Sequence, residues 1–156
     1  MPGIVSYGAY LPYWRLQRSA IGQSLGSGGG KGARSVASYD EDSTSMGVES
    51  GRVALATAPD GYRPALVAFA TTAPAYADKT NATAIHAALD LADEIPAFDT
   101  VGAIRSGFGA ALLAQAAGGL AVLADVRTGR PGSADEASGG DGAVTLAFGD
   151  GNEIVE

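Results

Sequence analysis

Few side chains in this 156-residue sequence can do covalent or acid–base chemistry: there is no cysteine and a single histidine, His86. The most suggestive spacing lies in residues 98–112, FDTVGAIRSGFGAAL. It reads as a buried strand, a tight turn at Gly102 and a helix of small residues. The turn presents Ile104, Arg105 and Ser106. Neither Ile104 nor Arg105 is a nucleophile. Ser106 would need a base to lose its proton, and the one histidine sits on a different predicted helix. Ser106 therefore reads as the cap of a helix beginning at Gly107. A second feature is the Gly-rich stretch 24–33, which carries Lys31 and leads into Arg34. It lacks the G-x-x-x-x-G-K-[ST] order of a phosphate-binding loop, and no strand directly precedes it as in a dinucleotide fingerprint.

The elements that position these residues follow an α/β pattern. An apolar strand over 3–10 is stopped by Pro12. A short helix is expected over 15–25 and a Gly-rich loop over 24–33, with Gly26, Gly28, Gly29, Gly30 and Gly32. Asp42 is a good N-cap for a helix over 45–56. The run 65–71, ALVAFAT, is continuously apolar, as in a strand buried on both faces. Thr80 or Asn81 can cap a helix over 82–91. A strand over 96–101, a helix over 107–117 and a strand over 120–125 follow. A polar loop over 127–141 leads to a last strand over 143–148. The order β-α-β-α-β-α-β-β predicts a mixed five-stranded sheet with right-handed crossovers, one of the last two strands running antiparallel.

Composition narrows the partners. The length fits one domain with a sizeable core. A net charge of −7, from 17 acidic and 10 basic residues, argues against nucleic acid or an anionic membrane surface. One histidine and no cysteine leave no histidine or thiolate metal site. No apolar run approaches the length of a membrane span and no signal pattern opens the chain, so a soluble cytoplasmic protein is the expectation.

Four blocks, in order, resemble the thiolase-like superfamily, and above all the N-terminal half of hydroxymethylglutaryl-CoA synthase and ketoacyl-ACP synthase III. They are DEDSTSM at 40–46, AFATTAP at 68–74, the 98–112 turn, and DVRTGRPGSADEASGGDGAVTLAF at 125–148. The resemblance spans nearly the whole chain, 1–156. It implies one βαβαβαββ half of a two-half fold, with the C-terminal half absent. It also implies a coenzyme A thioester as substrate, with no covalently bound cofactor.

In that family the 98–112 turn carries a nucleophilic cysteine at a helix N-terminus, where the helix dipole and backbone N–H groups stabilise thiolate and oxyanion. Alignment on Asp99-Thr100 puts Ile104 in the cysteine position, and alignment on Gly107-Phe108 allows Arg105. The general acid–base glutamate after the second strand corresponds to Thr72. Two reactive residues are thus replaced. Ordinary condensing chemistry is not expected from this chain alone, whereas acyl transfer or carbon–carbon bond cleavage with a Tyr or His base from the missing half remains open. So does a non-catalytic scaffold that pairs with an active thiolase-like chain or an OB-fold acyl-CoA-binding protein.

The resemblance further places Lys31 and Arg34 near the CoA phosphates, against the reading of a solvated basic pair. It places Tyr76 in a loop that reaches across a homodimer, against an ordinary exposed loop aromatic. Trp14 reads as core or interface packing rather than an adenine stack, and His86 as packing against the sheet. Arg105 reads as a filler of the vacated site or as a partner of Asp99 or Asp125.

Overall fold

The computed structural model describes residues 1–26, 29–151 and 154. Its elements run β1 (Gly3–Tyr10), β2 (Trp14–Gln17), α1 (Arg18–Leu25), β3 (Ala33–Val36), α2 (Ser43–Ala56) and β4 (Val67–Thr71), then α3 (Asn81–Ala88), β5 (Ala97–Val101), α4 (Arg105–Ala117), β6 (Leu120–Asp125), α5 (Ala134–Ser138) and β7 (Gly142–Gly149). Five strands form one sheet in the order β1-β7-β6-β4-β5, and β2 and β3 form a separate antiparallel pair. β4 lies parallel to β5 and β6, while β7 runs antiparallel to both of its neighbours, β6 and β1. The mixed five-stranded sheet is the one expected, and the reversed strand is β7. No helix separates it from β6 long enough to carry the chain back across the sheet.

The two faces of this sheet are filled differently. Val67 and Phe69 of β4 and Leu120 and Val122 of β6 point to one face, where they pack with Met46 of α2 and Ile85 of α3. That face is the main core. Close approach of α2 depends on small residues: a Cβ on Gly8 of β1 would sit 2.1 Å from the Ser50 carbonyl oxygen. Asp42 caps α2 by accepting from the Ser45 N–H at 2.7 Å, and the Ser45 hydroxyl accepts from the Asp42 N–H at 2.8 Å. The opposite face of β4 shows only Ala68 and Ala70, so α4 can lie close, resting on Ala110.

Three local expectations fail. Residues 14–17 form β2, not the first turn of a helix, and α1 begins at Arg18. Trp14 and Leu16 alternate with polar residues and pair with β3, a strand hidden beside the Gly-rich stretch. That stretch includes Ser27 and Gly28, which lie outside the described residues. The polar loop 127–141 contains the short α5, capped by the Ser133 hydroxyl accepting from the Glu136 N–H. Among the described residues no helix is long and apolar enough to cross a membrane.

Candidate functional site

The 98–112 turn forms as a strand, a turn and a helix. β5 ends at Val101, Gly102 takes φ of +119°, a region that favours glycine, and α4 starts at Arg105. Ile104 stands at the N-cap with its side chain 70% exposed. It faces two adjoining clefts, of about 390 and 470 Å³, that share Thr72, Ala103 and Ile104. The larger-residue side of the first cleft is apolar, from Leu11, Leu123 and Val144. Neither cleft contains a histidine.

Ser106 does not cap α4. It lies inside the first turn, half-buried, with its N–H bonded to the Ala103 carbonyl at 2.8 Å. The helix begins two residues earlier than the small-residue pattern suggested. Arg105, exposed, makes no ion pair among the described residues. The Asp99 carboxylate accepts from the N–H groups of Asn81 and Ala82 at the start of α3, and Asp125 is engaged at the site itself. Both acids expected to meet Arg105 are therefore spent on backbone and hydroxyl donors.

Thr72 follows β4 at the rim of the clefts. One oxygen of Asp125 accepts the Thr72 N–H at 2.6 Å, the Thr72 hydroxyl at 3.0 Å and the Thr71 hydroxyl at 3.0 Å. The other oxygen lies 3.8 Å from the Arg127 guanidinium, which also pairs with Asp135. Hydrogen bonding to Asp135, with the nearby charges of Asp135 and Asp125, raises the Arg127 pKa, so the group is a fixed cation. In the position expected to supply an acid, the proton of Thr72 is already committed to a carboxylate.

Arg34 does not belong to a solvated pair. It is buried, and its guanidinium donates to the carbonyls of Arg127 at 2.5 Å, Glu136 at 2.9 Å and Asp135 at 3.2 Å, and to Asp141 at 3.4 Å. Asp141 in turn accepts the N–H groups of Arg127 at 2.7 Å and Ala37 at 2.8 Å. This buried pair ties β3 to the segment 127–141 that walls the second cleft. Lys31 is exposed. Arg127 and Asp141 are not among the residues expected from the sequence, and Asp125 is expected only as a partner of Arg105. The usable signal was position: Asp125 ends a parallel strand, and ligand sites of open α/β sheets lie at those carboxyl ends.

The remaining residues sit apart. Tyr76 is held in the 72–80 loop by the Asn81 side chain, which accepts its N–H at 2.9 Å and donates to its carbonyl at 3.0 Å. Lys79 lies 3.7 Å above its ring. His86 is half-buried, with Nε2 3.0 Å from the Ala92 carbonyl, beyond the end of α3 rather than in a catalytic cluster. Trp14 is 58% exposed on β2, so it is not a core plug. Among the described residues no group of three or more His, Asp or Glu side chains is placed to hold a metal ion.

Known proteins place this geometry. No protein-family profile matches the sequence. Hydroxymethylglutaryl-CoA synthase of Pyrococcus furiosus is 33% identical over 163 residues, covering 98% of this chain and 47% of the relative. The synthase of Methanocaldococcus jannaschii is 31% identical over 171 residues, covering 100% and 50%. The solved 3-oxoacyl-(acyl carrier protein) synthase III of Pseudomonas aeruginosa superposes with a TM-score of 0.80 at 24% identity, over 96% of this chain and 52% of that one. In fold, the chain is a thiolase-like N-terminal half. A hydroxymethylglutaryl-CoA synthase crystallised with CoA shares this thiolase-like fold at a TM-score of 0.79 and 20% identity, over 94% of this chain and 41% of that one. The chain spans about half the length of the curated relatives it matches.

Proposed function

We propose that this chain is one half of an acyl-CoA-handling protein of the hydroxymethylglutaryl-CoA synthase type, completed by a second thiolase-like half. The observation that carries the reading is the strand, turn and helix of residues 98–112, which open onto two clefts at the start of α4. Ile104 stands exposed there, where the resemblance, aligned on Asp99-Thr100, calls for a cysteine. The reaction is acyl transfer, or carbon–carbon bond formation or cleavage, on a CoA thioester. In this half the start of α4 turns the positive end of its dipole toward a thioester carbonyl, the N–H groups of Ser106 and Gly107 being already bonded to the Ala103 and Ile104 carbonyls. Ile104 and Thr72 contribute no nucleophile and no free acid, so the base comes from the second half. Lys31, exposed in the Gly-rich stretch, is the contact to the CoA phosphates in this half. Arg34 anchors the 127–141 segment instead, since its guanidinium already donates to four acceptors.

The outward face of α4 supports a missing neighbour. Phe108 is 69% exposed, and with Ile104 and Leu112 it makes an apolar i, i+4, i+8 stripe. A second half of like fold would cover it. Pairing of two copies, with Tyr76 near the junction, is the accompanying homodimer proposal.

A second reading has its own support: the same Ile104 and Thr72 suit a scaffold that holds an active thiolase-like chain or an OB-fold acyl-CoA-binding protein. Calorimetric titration with acetyl-CoA and free CoA separates the two. Binding only when the chain is joined to its second half supports the acyl-CoA reading. Absence of binding in both forms contradicts it and favours the scaffold.

A further inference from the structure

A different corner of the molecule carries an aromatic surface that the site around Ile104 does not use. It gathers the end of β1, the start of β2 and the first turns of α2. A cleft of about 470 Å³ there is lined by Tyr10, Tyr13, Met46 and the carboxylates of Asp40, Glu41 and Glu49, and it shares no lining residue with the clefts at Ile104. Tyr13 is 82% exposed, and Tyr39 is wholly exposed. The Trp14 ring meets Tyr13 edge-on at 5.4 Å and is anchored by its N–H to the Ser38 hydroxyl at 3.0 Å. Trp14 is held by these two contacts, while Tyr13 and Tyr39 stand open to solvent. Exposed Tyr and Trp on a fixed frame are typical of recognition surfaces.

The charge of the corner names what fits. Every charged group lining the cleft is a carboxylate. Glu41 accepts from the Ser38 N–H at 2.6 Å and from the Tyr10 hydroxyl, so it is a fixed anion at neutral pH. Glu49 is shared with Arg52 on the exposed side of α2. Aromatic faces and carboxylates together favour a cation, and a guanidinium stacks on a ring while losing less hydration than an ammonium. The aromatic surface continues past the cleft to Trp14, whose ring meets Tyr13 edge-on, so the surface extends beyond the cleft that one cation would fill.

We propose that this corner docks an extended, arginine-bearing segment of a partner polypeptide, with one guanidinium in the cleft between the Tyr10 and Tyr13 rings and the Asp40, Glu41 and Glu49 carboxylates. Trp14 is the only tryptophan of the 156 residues, so its emission reports directly on the site. The probe is the peptide acetyl-Gly-Arg-Gly-Arg-Gly-amide, compared with its citrulline counterpart and with tetramethylammonium. The expected result is a saturable change in Trp14 emission with the arginine peptide. Affinity should be at least about tenfold weaker for the citrulline peptide, and about tenfold weaker for an Asp40→Asn, Glu49→Gln double variant, whose changes lie at the surface. Tyr13→Ser should weaken it as well without altering the circular dichroism spectrum. No saturable change overturns the proposal. So does equal binding of the citrulline peptide, or tetramethylammonium binding as tightly as the arginine peptide.

Discussion

The two faces of the five-stranded sheet are built to different ends. On the α2 and α3 side, Phe69, Val67, Leu120 and Val122 are completely buried with Met46 and Ile85, and large side chains fill the space. On the α4 side β4 and β6 offer Ala68, Ala70 and Ala121 to the helix, with Leu123 and Phe148 packed beside them, and the bulky residues of α4 point away, with Ile104, Phe108, Leu112 and Leu113 exposed. Tyr7 of β1, beyond the reach of α4, is exposed too. One face is a finished core. The other is a close-packed helix with its apolar residues turned outward, the face that the proposed second half would cover. The candidate site sits at the start of that helix, on the unfinished side.

This contrast can be broken most easily in the core. Phe69→Ala should cost about 3–5 kcal/mol of unfolding free energy, whereas Phe108→Ala should change it by less than about 0.5 kcal/mol. Urea denaturation of the two variants of this chain measures both. A large loss at Phe108 would mean that the α4 face is already packed. The next effect concerns the segment beside the site. Asp141→Ala leaves the buried Arg34 guanidinium without its counter-charge and should cost about 3 kcal/mol. Amide hydrogen exchange should then rise first in residues 127–139, which Arg34 and Asp141 hold; uniform exchange across the chain would refute a local anchor.

A smaller effect lies at the rim of the finished face. Glu41 is held below its ordinary value of 4.5, chiefly by the Ser38 N–H and then by the Tyr10 hydroxyl. A depressed carboxylate adds stability that is fully present above the unfolded value and is lost as pH falls through the folded one. The stability difference between the natural chain and Glu41→Gln should therefore be constant at neutral pH and shrink below about pH 4.5. A difference that grew in acid would contradict the assigned sign. The partner hydroxyl moves the opposite way: Tyr10 is raised, first by its bond to Glu41.

Much of this was legible in the residues. Runs such as VAFAT and LAVLAD carry their burial on both faces in their composition, and Asp42 announces α2 through its cap. The order of helices and strands then left β7 nowhere to go but antiparallel. What stayed hidden depends on contacts distant in sequence. β3 is a strand because it pairs with β2, and its residues ARSV show no marked alternation of their own. Arg34 looked like a surface cation because its acceptors lie 93 to 107 residues further along the chain. Ser106 looked like a cap because α4 starts on Arg105, a residue that the macrodipole disfavours at that end.

The central claim, that the α4 face meets a second half, can be tested on a chain with no native cysteine. Single cysteines placed by Phe108→Cys on the outer face of α4 and by Val53→Cys on the exposed side of α2 give two labelling sites without background. Maleimide labelling rates are measured in the 156-residue chain and in the chain joined to its second half. The account predicts fast labelling of both sites in the chain alone, and at least about tenfold slower labelling at position 108 alone once the second half is present. Unchanged labelling at position 108 in the joined protein would contradict it.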